Sequence, residues 1–217
     1  MKSTIPYRYL ALEGNIGAGK TSLAEILKEH YNCRLILEQF TDNPFLPFFY
    51  QEPERYAFPL ELFFMTERYK QLTTTLPQHE LFAELAIADY SFIKTLLFAR
   101  NNLQDEEFRM FQKMFHTLNA ALPKPDIIFY LHRNVPNLKQ QIDKRGREYE
   151  MQIEPSYLQA IQNAYFEYFR IETSIPIVII DVENINFKDN KAALEDIMNC
   201  LERKYLPGVH QVILSRN

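Results

Sequence analysis

The chain is poor in glycine, with five in 217 residues, where a soluble protein of ordinary composition carries about 7%. It has no tryptophan, and its two cysteines, Cys33 and Cys200, are too few for a disulfide framework. A reducing cytoplasm is the expected compartment. No segment approaches the roughly 18 to 20 apolar residues of a membrane span, and MKSTIPYRYLALEG has no apolar run of signal-peptide type. No membrane partner is expected. There is no basic excess: the formal net charge is −4, which argues against a nucleic-acid partner. Repeats, linkers and low-complexity tracts are missing too, so residues 1–217 read as a single domain.

Against that scarcity, three of the five glycines fall within six positions, at Gly14, Gly17 and Gly19. GNIGAGKT, residues 14–21, fits G-x-x-x-x-G-K-[ST]. It follows an apparent strand (YRYLALEG, 7–14) and opens a segment of helical period (TSLAEILKEHY), which is the context this motif requires. Glycines let backbone N–H groups turn inward around phosphate oxygens, and the helix N-terminus favours negative charge. Gly14, Asn15, Ile16, Gly17, Ala18, Gly19, Lys20, Thr21 and the following Ser22 are therefore expected to bind a nucleoside triphosphate. Lys20 is placed to reach the β- and γ-phosphates and Thr21 to ligate Mg²⁺.

Strand-like runs then alternate with helical ones. Strands are expected at 34–40, 81–91, 125–133 and 176–183. Helices are expected from Pro59 through 76, at 105–121, from about Val135 to Gly146, at 155–172 and at 191–206. The proline-rich stretch 41–58 supports short helical pieces at best. Such alternation predicts an α/β fold, a parallel sheet covered on both faces.

Three stretches bear on the acceptor. RGREYE, 145–150, spaces Arg145 and Arg147 around a glycine, which suits a mobile lid closing on phosphates. Glu38, in LEQF, follows the second strand, at the end of a parallel sheet where ligands bind, and is placed to accept a proton from a hydroxyl. Glu61 and Arg68 are seven apart on one helix, so both can face one cleft.

Taken in order, GNIGAGKT, LEQF, YQEPER with its helix, RGREYE and DVENINF resemble the deoxynucleoside kinase family, specifically the bacterial deoxyadenosine/deoxyguanosine kinases, over nearly the whole chain. The resemblance implies a P-loop kinase fold: a five-stranded parallel sheet flanked by helices, with a helical arginine-bearing lid at about 144–156 and a homodimeric state. It implies ATP as donor with Mg²⁺, and a purine deoxynucleoside as acceptor in nucleotide salvage. Glu38 resembles the base at the 5′-hydroxyl. Tyr50 and Glu150 resemble the pair on the 3′-hydroxyl. Arg68 resembles a base-proximal arginine, and Glu61 stands where the family usually has a base-reading Gln. Arg145 and Arg147 resemble the lid arginines. The 181–187 loop, with Asn184, Asn186 and Phe187, resembles the segment beside the donor adenine. Asp89 keeps the acid that supports Mg²⁺. Tyr90 stands where an Arg is expected after the third strand, and Lys94 is the nearby cation.

Rival readings are a thymidylate-like nucleoside-monophosphate kinase, another small-molecule P-loop kinase and a nucleotide-binding switch protein. A phosphorylated acceptor calls for a basic site, whereas 38–68 is acidic (Glu38, Asp42, Glu52, Glu54, Glu61, Glu67). A guanine-reading N-K-x-D motif is absent. The Phe-rich stretch from Phe45 to Phe64 suits an aromatic base.

Overall fold

In β1 (Tyr9–Gly14), Leu10 and Leu12 belong to the core on one face of a sheet, while Tyr9 and Ala11 belong to the core on the other, and all are buried. Burial on both faces is what a central parallel strand requires. A computed structural model of the chain describes residues 5–39, 43–82, 85–183, 185–187 and 189–214. After β1 come α1 (Lys20–His30), β2 (Cys33–Ile36), α2 (Leu46–Phe49), α3 (Pro53–Phe82), β3 (Leu85–Ala88), α4 (Ile93–Asn102) and α5 (Asp105–Asn119). The second half holds β4 (Ile127–His132), α6 (Val135–Arg145), a 3-10 turn (Glu148–Glu150), α7 (Pro155–Ile171), β5 (Pro176–Asp181), α8 (Lys191–Leu201) and β6 (Gly208–Ile213).

The strands pair in parallel in the order β2-β3-β1-β4-β5-β6. One face is covered by α1, α6 and α8 through Leu23, Leu27, Leu138, Ile142, Ile197 and Leu201. The other is covered by α3, α4, α5 and α7, rich in aromatic rings such as Phe111, Phe115, Tyr165 and Phe169. The chain runs from β1 outward to β2, returns to β3 beside β1, and crosses to the other side with β4. The carboxyl ends of β1, β2 and β3 therefore open onto one crevice.

Three expectations need correction. The sheet has six strands, not five: β6 was missed. Its residues GVHQVI alternate half-buried and exposed, but Val209 and Ile213 lie on the exposed side, so the apolar pattern has no clean period of two. Pairing with β5 makes it a strand. The third strand is four residues long, and the run assigned to it ends in the cleft. The long helix begins at Pro53, not Pro59. Pro53 sits in its first turn with Glu54 beside it, both good helix-opening signals, and the helix runs on through Pro59. α4, which carried no expectation, follows β3 directly. Asp42 lies outside the described residues.

Candidate active site

The glycine loop joins β1 to α1. Gly19 takes the N-cap position of α1 with φ 96°, and a Cβ there would come within 2.8 Å of the Phe187 ring. At Gly17 (φ +83°) a Cβ would meet the Leu138 carbonyl at 2.8 Å. Both positions combine a left-handed backbone with a close neighbour, which only glycine accommodates. The buried Asn15 side chain donates to the Leu158 carbonyl (2.8 Å) and pins the loop to α7. The Lys20 ammonium donates to the carbonyls of Gly14 (2.7 Å) and Asn15 (2.9 Å). Burial and then the Lys94 charge push Lys20 down to about 8, against the pull of Glu13, Glu38 and Asp89.

The carboxyl ends of β2 and β3 place the acids. Asp89, buried just past β3, accepts from the Thr21 hydroxyl (2.5 Å) and from the Glu38 backbone N–H (2.7 Å). Glu38 sits between two cations. Its Oε1 accepts from Arg68 Nε (2.9 Å) and Nη2 (2.6 Å), and its Oε2 from Lys94 Nζ (2.5 Å). Burial alone would raise its pKa. Lys94 and Arg68 outweigh that and hold the carboxyl well below the usual range. Arg68 also donates to Thr95 Oγ1 (2.8 Å) and lies over the Phe64 ring. Lys94 lies over Phe98. Tyr90 is fully buried and donates to Gln71 Oε1 (2.5 Å), away from Glu38. Lys94, not Tyr90, is thus the group that joins Arg68 on the carboxylate.

Glu61 is 2% exposed. Its Oε1 accepts from Asn102 Nδ2 (2.6 Å), while its Oε2 is buried without a partner. Burial raises Glu61 to about 7, against Arg68 and the Asn102 amide. Arg68 faces the same cleft as Glu61, as their spacing predicts, yet its hydrogen bonds go to Glu38 and Thr95. At the far rim, Arg145 closes α6, Gly146 caps that helix in the left-handed region, and Arg147 opens the 3-10 turn. This rim is a helix end plus a turn, not a continuous helix. Both arginines pair with the buried Glu150, Arg147 at 3.2 Å.

Lys20, Thr21, Ser22, Glu38, Tyr50, Glu61, Arg68, Asp89, Lys94, Arg145, Arg147 and Glu150 all line one cleft of about 950 Å³, open space at its mouth included, together with Ile16, Gly17 and Gly19. Phe187 and Asn186 line an adjoining cavity on the other side of the glycine loop, with Arg133 and Lys144. Asn184 lies outside the described residues. Sequence reasoning missed four residues here. Asn102 and Thr95 come from α4, and Tyr157, ring to ring with Tyr50, comes from α7; none sits in a motif. Arg133 at the end of β4 donates to the Ile185 carbonyl beside Phe187. A fifth, Glu13, carried a readable signal as an acid in an apolar strand. Fully buried, it accepts from Ser91 N–H and Oγ (2.6 Å each) and from the Tyr165 hydroxyl (2.7 Å), tying β1 to the β3 loop and α7.

The oxygens of Thr21 and Asp89 suit a hard cation. Among the described residues no group of three or more His, Cys, Asp or Glu could hold a metal. A hydroxyl and one carboxylate beside a phosphate loop fit Mg²⁺, which is usually bound by one or two carboxylates plus substrate phosphates. Among the described residues no helix is long and apolar enough to cross a membrane.

A family model described as deoxynucleoside kinase matches residues 10–206. The chain is similar to deoxyguanosine kinase of Bacillus subtilis, 35% identical over 193 residues that cover 87% of this chain and 93% of that one. It is similar to deoxyadenosine kinase of Lactobacillus acidophilus, 26% identical over 209 residues, 90% and 95% of the two chains. Among solved structures, deoxyadenosine kinase from M. mycoides with bound dATP superposes with a TM-score of 0.74 at 21% identity, covering 90% of this chain and all of that one. That last likeness speaks to the fold.

Proposed function

The chain belongs to the deoxynucleoside kinase family, and we propose that it moves the γ-phosphoryl of ATP to the 5′-hydroxyl of a purine deoxynucleoside, with deoxyguanosine favoured. The observation that carries this reading is the placement of Glu38, ionised and cation-paired, at the shared mouth of β1, β2 and β3 beside the Thr21–Asp89 pair.

The glycine loop and Lys20 hold the donor phosphates, and Arg145 and Arg147 turn from Glu150 to them. Phe187 and Arg133 flank the donor base. Thr21 and Asp89 would hold Mg²⁺, which when bound neutralises charge on the phosphates. Tyr50 and Glu150 hold the 3′-hydroxyl. Glu38 accepts a hydrogen bond from the 5′-hydroxyl and aims its oxygen at the phosphorus. Two cations make Glu38 a weak base. Phosphoryl transfer through a loose transition state asks little basicity of the acceptor, so positioning comes first and the proton passes to Glu38 late. The paired cations also leave no free charge for an acceptor phosphate, which disfavours a nucleoside monophosphate. Glu61, when ionised, offers only acceptors and so suits the two adjacent donors of guanine, N1–H and the 2-amino group.

The test is phosphorylation of each deoxynucleoside and of thymidylate with ATP. The two purine deoxynucleosides are expected to lead, and preference for a pyrimidine or for thymidylate overturns the assignment.

A further inference from the structure

Among the described residues, Glu61 is the one carboxyl in the cleft with an oxygen, Oε2, that is buried and unpartnered. Its other oxygen is occupied by the Asn102 amide, which donates to it at 2.6 Å. Asn102 therefore orients the carboxyl: Oε2 meets the ligand with no other partner, and Oε1 keeps a second lone pair for it beside the Asn102 bond. The character of Oε2 depends on one proton. Ionised, it accepts. Protonated, it donates, while the carboxyl still accepts through Oε1. Purine pairing edges divide along the same line. Guanine presents two donors, N1–H and the 2-amino group. Adenine presents an acceptor at N1 beside a donor at the 6-amino group.

We propose that Glu61, oriented by Asn102, is a proton-dependent reader of the purine base, taking guanine when ionised and adenine when protonated. This inference rests on the purine deoxynucleoside reading above and adds a pH-dependent selectivity to it. Asn102 acts as a positioning residue.

The surroundings allow one proton to decide. Facing Glu61 are Arg68 from its own helix, Lys94 and Asn102 from α4, Glu38 past β2, Tyr50 at the end of α2 and Tyr157 from α7. Burial raises the Tyr50 and Tyr157 hydroxyls far above neutrality, and Glu38 lies far below it. Glu61, raised to about 7 by burial, changes charge in the working range. Lys20, lowered to about 8, is on the donor side, so its titration affects both nucleosides alike.

The experiment is a competition. Equimolar deoxyguanosine and deoxyadenosine share one tube with ATP, and the ratio of the two monophosphates formed is followed from about pH 6 to about pH 8.5, a range that brackets the shifted carboxyl. Effects on ATP binding and on phosphoryl transfer cancel in that ratio. It is expected to rise towards deoxyguanosine by about tenfold or more, the discrimination that a two-point base contact supplies. In Glu61→Gln the ratio is expected to be flat and shifted towards deoxyadenosine. In Asn102→Leu the amide that favours the ionised form is gone, so the transition moves to higher pH. A wild-type ratio flat with pH, a slope that survives Glu61→Gln, or a midpoint unmoved by Asn102→Leu each overturns the inference. Failure of both purines to be phosphorylated at any pH is a separate outcome that overturns the functional reading itself.

Discussion

On the acceptor side of the cleft, Glu38 stands between Arg68 and Lys94, whose side chains are only 4% and 8% exposed. On the donor side, Lys20 rests on two backbone carbonyls, and Arg145 and Arg147, about a third exposed, share Glu150. The acceptor charges are thus paired before any substrate arrives, in a buried shell of α3 and α4. The two arginines hold a provisional partner near solvent, where an ion pair contributes little. This difference matches the two ligands. A nucleoside is neutral and needs hydrogen bonds in fixed places. A triphosphate is an anion and needs cations free to move to it.

The comparison breaks most directly at Glu38. Glu38→Gln keeps the shape but loses the charge that Arg68 and Lys94 compensate, and it loses the proton acceptor. The expected loss in kcat is about 10² to 10⁴, with nucleoside affinity largely kept. Steady-state kinetics with deoxyguanosine check it, and a change confined to KM makes Glu38 a binding group only. On the donor side, Lys20→Ala removes the proposed phosphate contact, an ammonium that among the described residues donates to the Gly14 and Asn15 carbonyls. About a 10³-fold loss in kcat is expected, with an unchanged circular dichroism spectrum. Normal turnover in that folded variant removes the glycine loop from the chemistry.

The donor half was more legible in the sequence, for a physical reason. A phosphate loop is built from consecutive residues whose backbone does the work, so its motif is continuous from Gly14 to Thr21. The acceptor half is assembled from side chains on β2, α2, α3, α4 and α7, and pairs such as Glu61 with Asn102 are distant in sequence. Strand-end position pointed to Glu38 and helical spacing to Glu61 and Arg68, resemblance supplied Tyr50 and Glu150, and the structure brings all five to one cleft. Nothing local marked Asn102, Thr95 or Tyr157. The missed sixth strand has a related cause. β6 is an edge strand whose exposed side carries Val209 and Ile213, so burial never imposed an alternating pattern on it.

Lys94 sharpens the comparison, because it faces Glu38 and also lowers the Lys20 pKa. Lys94→Met is expected to reduce kcat by about 10²-fold through loss of a charged partner in the cleft. Tyr90→Phe, which loses only the bond to Gln71, is expected to stay within about threefold of wild type, less than the worth of one ordinary hydrogen bond. Parallel kinetics on the two variants decide. The reverse order returns the role to the tyrosine hydroxyl.

The smallest expected effect is on stability, and it sets the buried half against the exposed one. Glu61 in the folded protein holds its proton up to about 7, while its ordinary value is 4.5. Between those two values the unfolded chain has released the proton that the folded chain keeps. The folded state therefore binds more protons, and its stability falls as pH rises through this window. Above pH 7 the whole cost is present, on the order of 3 kcal/mol from the size of the shift. Glu61→Gln cannot titrate and escapes this cost. Relative to wild type, the variant is expected to gain several degrees in Tm between about pH 5 and about pH 8, given the few degrees per kcal/mol of a chain this size. On the donor side, Arg147→Gln breaks a pair that is about one-third exposed on the arginine side. It is expected to change stability by no more than about 0.5 kcal/mol at any pH, while raising the KM for ATP. Thermal melts of the three proteins at both pH values make the measurement. A Glu61→Gln advantage that is the same at both pH values means that Glu61 is already ionised in the folded cleft, and then the two halves do not differ in how they carry charge.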